Sequence, residues 1–168
     1  MSLTRINNQA LPTLDSDKLP TGTVIKSDVL VGQTAGSQTN HNSSTYNTAF
    51  TVTYTPQAWG SKVLILTNLG LWADVDNDSH TPVQGQIRML TSFDGGTTYT
   101  ERWESGQNII ARGGHSRYAV SPIAYEMDLP ASGTSLMIRW QGRRTASDRS
   151  FIIGGYLGSQ ITVTEIAG

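Results

Sequence analysis

The residues able to do chemistry in this 168-residue chain are few and scattered. The one acidic cluster is Asp74-Val75-Asp76-Asn77-Asp78. Carboxylates at alternating positions open a calcium loop, where they converge on a hard cation. Ser79 stands where such a loop needs glycine, and Gly85 where it needs the bidentate glutamate. A polar strand-end turn therefore explains Asp74, Asp76 and Asp78 better than a metal site. The three histidines, His41, His80 and His115, each sit among polar residues in expected loops. None forms a His-x-His or His-x-x-x-His pair, so solvated loop histidines are expected. Glu101, Glu104, Asp94, Glu126 and Asp128 offer paired carboxylates for glycoside hydrolysis, but so does any β-sandwich with acidic residues. Trp59, Trp72, Trp103 and Trp140 can stack on sugars, and equally can fill a core or an interface. No Gly-x-Ser-x-Gly elbow and no P-loop is present. The absence of cysteine removes thiol nucleophiles, disulfides and Cys-ligated zinc. The expectation is a protein that is not an enzyme and carries no cofactor.

Charge narrows the partners. Twelve basic and thirteen acidic residues leave a net charge of −1, with no broad drive toward nucleic acid or an anionic membrane. Arginine outnumbers lysine nine to three. Arg112 and Arg117 flank a Gly-Gly-His turn, while Arg143, Arg144 and Arg149 crowd an expected polar turn from Arg143 to Ser150. Solvated turns are one reading. Bidentate contacts to carboxylates of a partner or second subunit are the other, favoured because lysine is so scarce. The longest aliphatic run, Val63 to Leu66, is far short of a membrane span. The N-terminus lacks the apolar core of a signal peptide.

The elements that must position these residues are strands. Seventeen glycines, 21 Thr, 17 Ser and a charged fraction of 15% argue against a helical bundle. In residues 1–21, Leu3, Ile6, Leu11, Leu14 and Leu19 are interrupted by Asn, Asp and Pro, and no period survives. That stretch reads as an extended arm, either frayed or ordered against a partner. From Thr23 to Val31 a first strand is expected, then a polar loop from Gly32 to Ser44. Tyr46 to Thr55 alternates, and Lys62 to Trp72 is apolar on both faces, as in a central sandwich strand or one facing another subunit. Asp94-Gly95-Gly96 marks a hairpin between Gln86–Phe93 and Thr97–Glu104. Further strands are expected at 108–111, 118–129, 135–140, 151–153 and 161–164, with Pro122 placing the second of these at an edge or a bulge. About nine short strands and no helical period give an all-β, single-domain sandwich over residues 22–168, with a jelly roll as the leading topology.

The order of features resembles a family of tailed-bacteriophage virion proteins. The residues that carry this are Leu3-Thr4-Arg5-Ile6-Asn7-Asn8-Gln9, the junction Leu19-Pro20-Thr21-Gly22-Thr23-Val24-Ile25, Ser61-Lys62-Val63-Leu64-Ile65 and Ile161-Thr162-Val163-Thr164-Glu165-Ile166. The resemblance implies an N-terminal arm joined to a trimeric, tumour-necrosis-factor-like jelly roll, with one sheet of each subunit facing the three-fold axis. It makes Val63, Ile65, Leu69 and Leu71 the expected trimer interface. It makes Leu3, Ile6, Leu11, Leu14 and Leu19 the expected anchors of a capsid-binding arm. Arg112, Arg117, Arg143 and Arg144 remain the expected partner or inter-subunit contacts. The implied role is a capsid decoration (cement) protein on the virion surface, bound to the major capsid protein. The alternative is a tail-fibre tip that recognises a host surface glycan or protein.

Overall fold

A computed structural model describes residues 19–73, 83–106, 109–111, 117–146, 151–154 and 158–168. Eleven strands run through them: β1 (Val24–Gln33), β2 (Gln38–His41), β3 (Asn47–Tyr54), β4 (Lys62–Ala73), β5 (Val83–Ser92), β6 (Thr100–Glu104), β7 (Ile109–Ala111), β8 (Arg117–Asp128), β9 (Leu136–Ala146), β10 (Phe151–Gly154) and β11 (Ser159–Ile166). Two sheets hold them. The first has the order β1-β11-β4-β10-β2, with β8 on the other side of β4. The second has the order β3-β9-β5-β6, with β7 also on β5.

Several of these strands are successive pieces of one longer ribbon. Along β4, β11 pairs with 62–69 and β10 with 71–73. In the same way β1 and β2 share one edge, pairing with β11 and β10. β6 and β7 share β5. Four ribbons per sheet remain, and the chain crosses between sheets in the manner of a jelly roll. The all-β sandwich expected from the alternation is the fold observed.

The core lies between the sheets. Val63, Ile65, Leu69 and Leu71 of β4, Val163 and Ile161 of β11, Ile87 and Met89 of β5, and Leu136, Ile138 and Trp140 of β9 are its buried centre. Trp103 meets Trp140 edge-on at 5.9 Å. Two glycines let aromatic rings in: a side chain on Gly32 would collide with the ring of Phe50, and one on Gly85 with the ring of Phe151.

Local chemistry sets the turns. Gly95 and Gly96 take φ of 72° and 90°, as the hairpin between β5 and β6 requires. Asp94 caps it, its Oδ1 accepting from Ser92 Oγ at 2.6 Å and from the amides of Thr97 and Thr98 at 3.0 and 2.9 Å. The hydroxyl of Ser92 first, then the Thr98 amide, hold this carboxyl down at about 2. Pro122 sits in β8, whose register with β4 is unbroken from Arg117 to Asp128. β8 is an edge strand, so the missing N–H costs no ladder bond.

Three expectations need correction. The segment expected as a polar loop from Gly32 to Ser44 contains β2, which pairs with β10. His41, expected in solvent, is wholly buried at the end of that strand. Arg143 and Arg144, expected in a turn, lie on β9, because its pairing with β5 continues past Trp140 to Ala146.

One buried carboxylate ties the sheets together. Glu165 on β11 is fully buried. Its Oε2 accepts from Tyr54 Oη of β3 at 2.8 Å and from the amide of Gln57 at 2.8 Å. Its Oε1 accepts from the amide of Ala58 at 2.5 Å and from Ser61 Oγ at 3.1 Å. Burial first, then the bond to Glu165, push the Tyr54 phenol well above its ordinary range. In Glu165→Gln, an amide NH2 must face donors that now meet oxygen. We expect a loss of about 2–4 kcal/mol in urea unfolding, against about 1 kcal/mol for Tyr54→Phe. Equal stability of Glu165→Gln and the parent chain would contradict this role.

Candidate assembly surface

The outer faces of the two sheets differ in chemistry. On the second sheet, alternation along β9 sends Leu136, Ile138 and Trp140 inward and Met137, Arg139, Gln141 and Arg143 outward. These outward groups meet a net of partners. Arg88 and Arg143 stack on the ring of Tyr46 at 4.1 and 4.5 Å, and Arg139 stacks on Tyr99 at 3.6 Å. Arg88 donates to Glu101 at 2.9 Å and to Gln141 at 2.8 Å. Arg143 donates to Gln86 at 2.8 Å. The Tyr46 hydroxyl donates to Glu104. Burial and that bond push the Tyr46 phenol up to about 12. This face is charged and internally satisfied.

The first sheet presents the opposite surface. Its register aligns Val29, Thr162, Leu66 and Ala124 in one row across β1, β11, β4 and β8. The neighbouring rows are Val31, Gln160, Asn68 and Pro122 on one side, and Ser27, Thr164, Leu64 and Glu126 on the other. The exposed large hydrophobics among the described residues are Val24 at 58%, Val29 at 64%, Val31 at 56% and Leu66 at 42%, and all four lie here. Among the described side chains, charge on this face is confined to one corner, where Lys62 reaches Glu126 at 3.3 Å and Asp128 at 3.9 Å. Scattered surface apolar residues need no explanation, but four gathered on one sheet face with charge at a single corner make it a candidate contact surface.

The expected site residues fall as follows. Val63, Ile65, Leu69 and Leu71, expected to meet another subunit, are between 0% and 3% exposed within the single chain. Facing the other sheet, they have no surface left for a second subunit. β4 is apolar on both sides because one side makes the core, while Leu64 and Leu66 look outward. Arg143 joins the Tyr46 net, and Arg144 donates its amide to the carbonyl of Ser43 at 2.9 Å. Of the expected arm anchors, Leu19 is half-buried, close to where Gly22 and Thr23 bond to Ala167. Leu3, Ile6, Leu11, Leu14, Arg112, Asp74, Asp76 and Asp78 lie outside the described residues, as do His80, His115 and the side chain of Arg117. The carboxylates considered for glycoside hydrolysis are dispersed. Asp94 caps a turn, Glu101 and Glu104 serve the Arg net, and Glu126 and Asp128 sit on the opposite face with Lys62. Among the described residues no group of three or more His, Asp or Glu side chains could hold a metal ion. No helix among them is long and apolar enough to cross a membrane.

No family model matches the sequence, and no curated protein is similar to it. Solved structures resemble the fold. A chain in the structure of infectious bursal disease virus Gx strain superposes with a TM-score of 0.50 and 14% identity, over 85% of this chain and 32% of that one. A chain from the Gt strain of the same virus gives 0.46 and 12%, over 98% and 36%. A xylan-binding domain from Paenibacillus barcinonensis gives 0.35 and 12%, over 89% and 97%. At these identities the first likeness speaks for the fold alone, and the other two, with lower scores, carry no argument. The chain spans about a third of the length of the viral chain that it matches in the Gx strain.

The two sides of β4 make a direct test. Ile65→Ala removes buried methylenes and should cost about 2–4 kcal/mol in chemical unfolding. Leu66→Ala, on the exposed side, should stay within about 0.5 kcal/mol when the protein is dilute enough to be monomeric. Equal losses at both positions would contradict this assignment of faces.

Proposed function

We propose that the chain is a structural virion protein, a homotrimeric decoration (cement) protein of a bacteriophage head. The observation that carries this reading is the outer face of the first sheet, charged at one corner, which holds every exposed large hydrophobic among the described residues. A lone subunit gains nothing from such a face, whereas a subunit packed on its own copies buries it. The jelly-roll fold, found also in a chain of a virus particle, is consistent with the role. The three subunits meet through Val29, Val31 and Leu66 on this face, with the Arg and Tyr net of the second sheet turned outward. The arm, residues 1–21, attaches each subunit to the major capsid protein. Leu3, Ile6, Leu11, Leu14 and Leu19 are its anchors, and three arms per trimer raise avidity well above one arm's affinity.

A second reading, a tail-fibre tip that binds a host glycan or protein, draws on the net itself. Tyr46 and Tyr99 lie in a comb of guanidinium and amide groups, a surface able to contact a sugar. Immunogold labelling of intact virions separates the two, over the head for the first and at the tail tip for the second.

Three chains of 18.2 kDa make 54.6 kDa, the mass expected in light scattering. Val29→Glu combined with Leu66→Glu should leave a folded chain of 18.2 kDa. A parent chain that runs as a monomer sinks the trimer, and a variant that stays trimeric moves the interface elsewhere. Deleting residues 2–20 should leave the trimer intact and abolish binding to heads that lack the protein. Undiminished binding would remove the arm from the mechanism.

A further inference from the structure

We infer that β2 is an acid-released latch: on mild acidification Gln38–His41 leaves Phe151–Gly154 while the rest of the sandwich stays folded. The strand is four residues long and pairs only with β10 among the described residues. It rests on polar groups rather than on apolar packing. Gln33 Nε2 donates to Thr39 Oγ1 at 3.0 Å, and Thr39 Oγ1 donates to the carbonyl of Ala49 at 3.1 Å. Such a short, one-sided strand opens at far lower cost than the body of a sheet.

At its end stands His41, with no exposed surface. Its Nδ1 bonds to Asn47 Oδ1, so Nδ1 carries the proton and Nε2 is a bare acceptor. Nε2 is buried and has no hydrogen-bond partner. The ring packs 6.0 Å from Phe151 and fits only because Gly142 has no side chain, whose first carbon would sit 2.9 Å from Nε2. A second proton would be buried with the ring, facing the backbone of Gly142.

Among the described residues the charged groups around it give no relief. β10 carries none, and β3 offers Asn47. β9 offers two cations, Arg143, turned outward onto Gln86 and Tyr46, and Arg144. Glu104, the acid that bonds to Tyr46, is on the outer face. Burial nonetheless pulls the imidazole below its ordinary range, outweighing the bonds to Asn47 and to the Gly142 backbone. The closed form keeps His41 neutral while the open form takes a proton once the pH falls below about 6.5, so closure weakens as the pH falls. Opening uncovers Phe151 and Ile153, which are otherwise buried.

The test is amide hydrogen exchange at pH 7.5 and pH 5.0, with each rate divided by its intrinsic value. In the full chain, the amides of β2 and β10 should lose protection on acidification. The loss should be about tenfold for each pH unit below the free imidazole's pKa of about 6.5, and so about thirtyfold at most at pH 5.0. The pairs β3–β9 and β4–β11 should be unchanged. His41→Gln, which keeps a polar group for Asn47 and cannot titrate, should abolish the pH dependence. Asn47→Asp, which places a carboxylate against the imidazolium, should keep the latch shut at pH 5.0. Equal protection of β2 at both pH values in the parent chain overturns the inference. So does acid opening that survives in His41→Gln, or loss of protection throughout the sandwich at once.

Discussion

The sandwich is closed by a carboxylate where an apolar group would be the simpler choice. Glu165 lies at the base of β11 with Tyr54 of the opposite sheet, the amides of Gln57 and Ala58, and Ser61 all aimed at it. A buried charged group is costly unless its lone pairs are met, and here the Tyr54 hydroxyl and two amides meet them, with the Ser61 hydroxyl shared between Glu165 and the Ala58 carbonyl and no Lys or Arg paired among the described residues. The arrangement specifies position. The connection between β3 and β4 must present two amides and a hydroxyl to one point, which sets how β4 enters the sheet. From there the register of β4 with β11 and β8 follows over its whole length.

That register gives the molecule two unlike faces. The same pleat that sends Val63, Ile65, Leu69 and Leu71 into the core sends Leu64 and Leu66 out, beside Thr162, Val29 and Ala124. The second sheet sends out Arg88, Arg139 and Arg143, held flat on tyrosine rings. A charged face whose hydrogen bonds are already made is content in water. A face of valine, leucine and threonine methyl groups is better covered. The proposed assembly takes its orientation from this contrast, with the first sheet toward like subunits and the second toward solvent.

The edge formed by β1 and β2 is unequal along its length. β1 is ten residues long and joined to β11 over most of them, while β2 has four residues, with Thr39 bonded to Gln33 and Ala49. The long pairing with β11 holds the one, with Leu30 partly buried against the core, and polar contacts with a buried histidine hold the other. Stability is therefore graded within one domain, and the weakest part is the one whose closure depends on a proton.

Alternation in β3, β5 and β9 was readable directly, because a strand with one buried side writes a period of two into its residues. So was the hairpin at Gly95 and Gly96, where the backbone needs glycine, while Pro122 left β8 at an edge or a bulge and the pairing decided for the edge. The sequence by itself thus determined the class of fold and most strand positions. It could not tell the sides of β4 apart, since both are apolar, and so placed Val63 and Ile65 at an interface when they make the core. It missed β2 because Gln38-Thr39-Asn40-His41 has no apolar pattern, and its pairing is supplied by Phe151–Gly154, more than a hundred residues away. Nor could it show that Glu165 is the shared acceptor of residues 54, 57, 58 and 61. Local periodicity reports that a residue has a buried side, but what buries it is decided by long-range pairing and exists only in the folded chain.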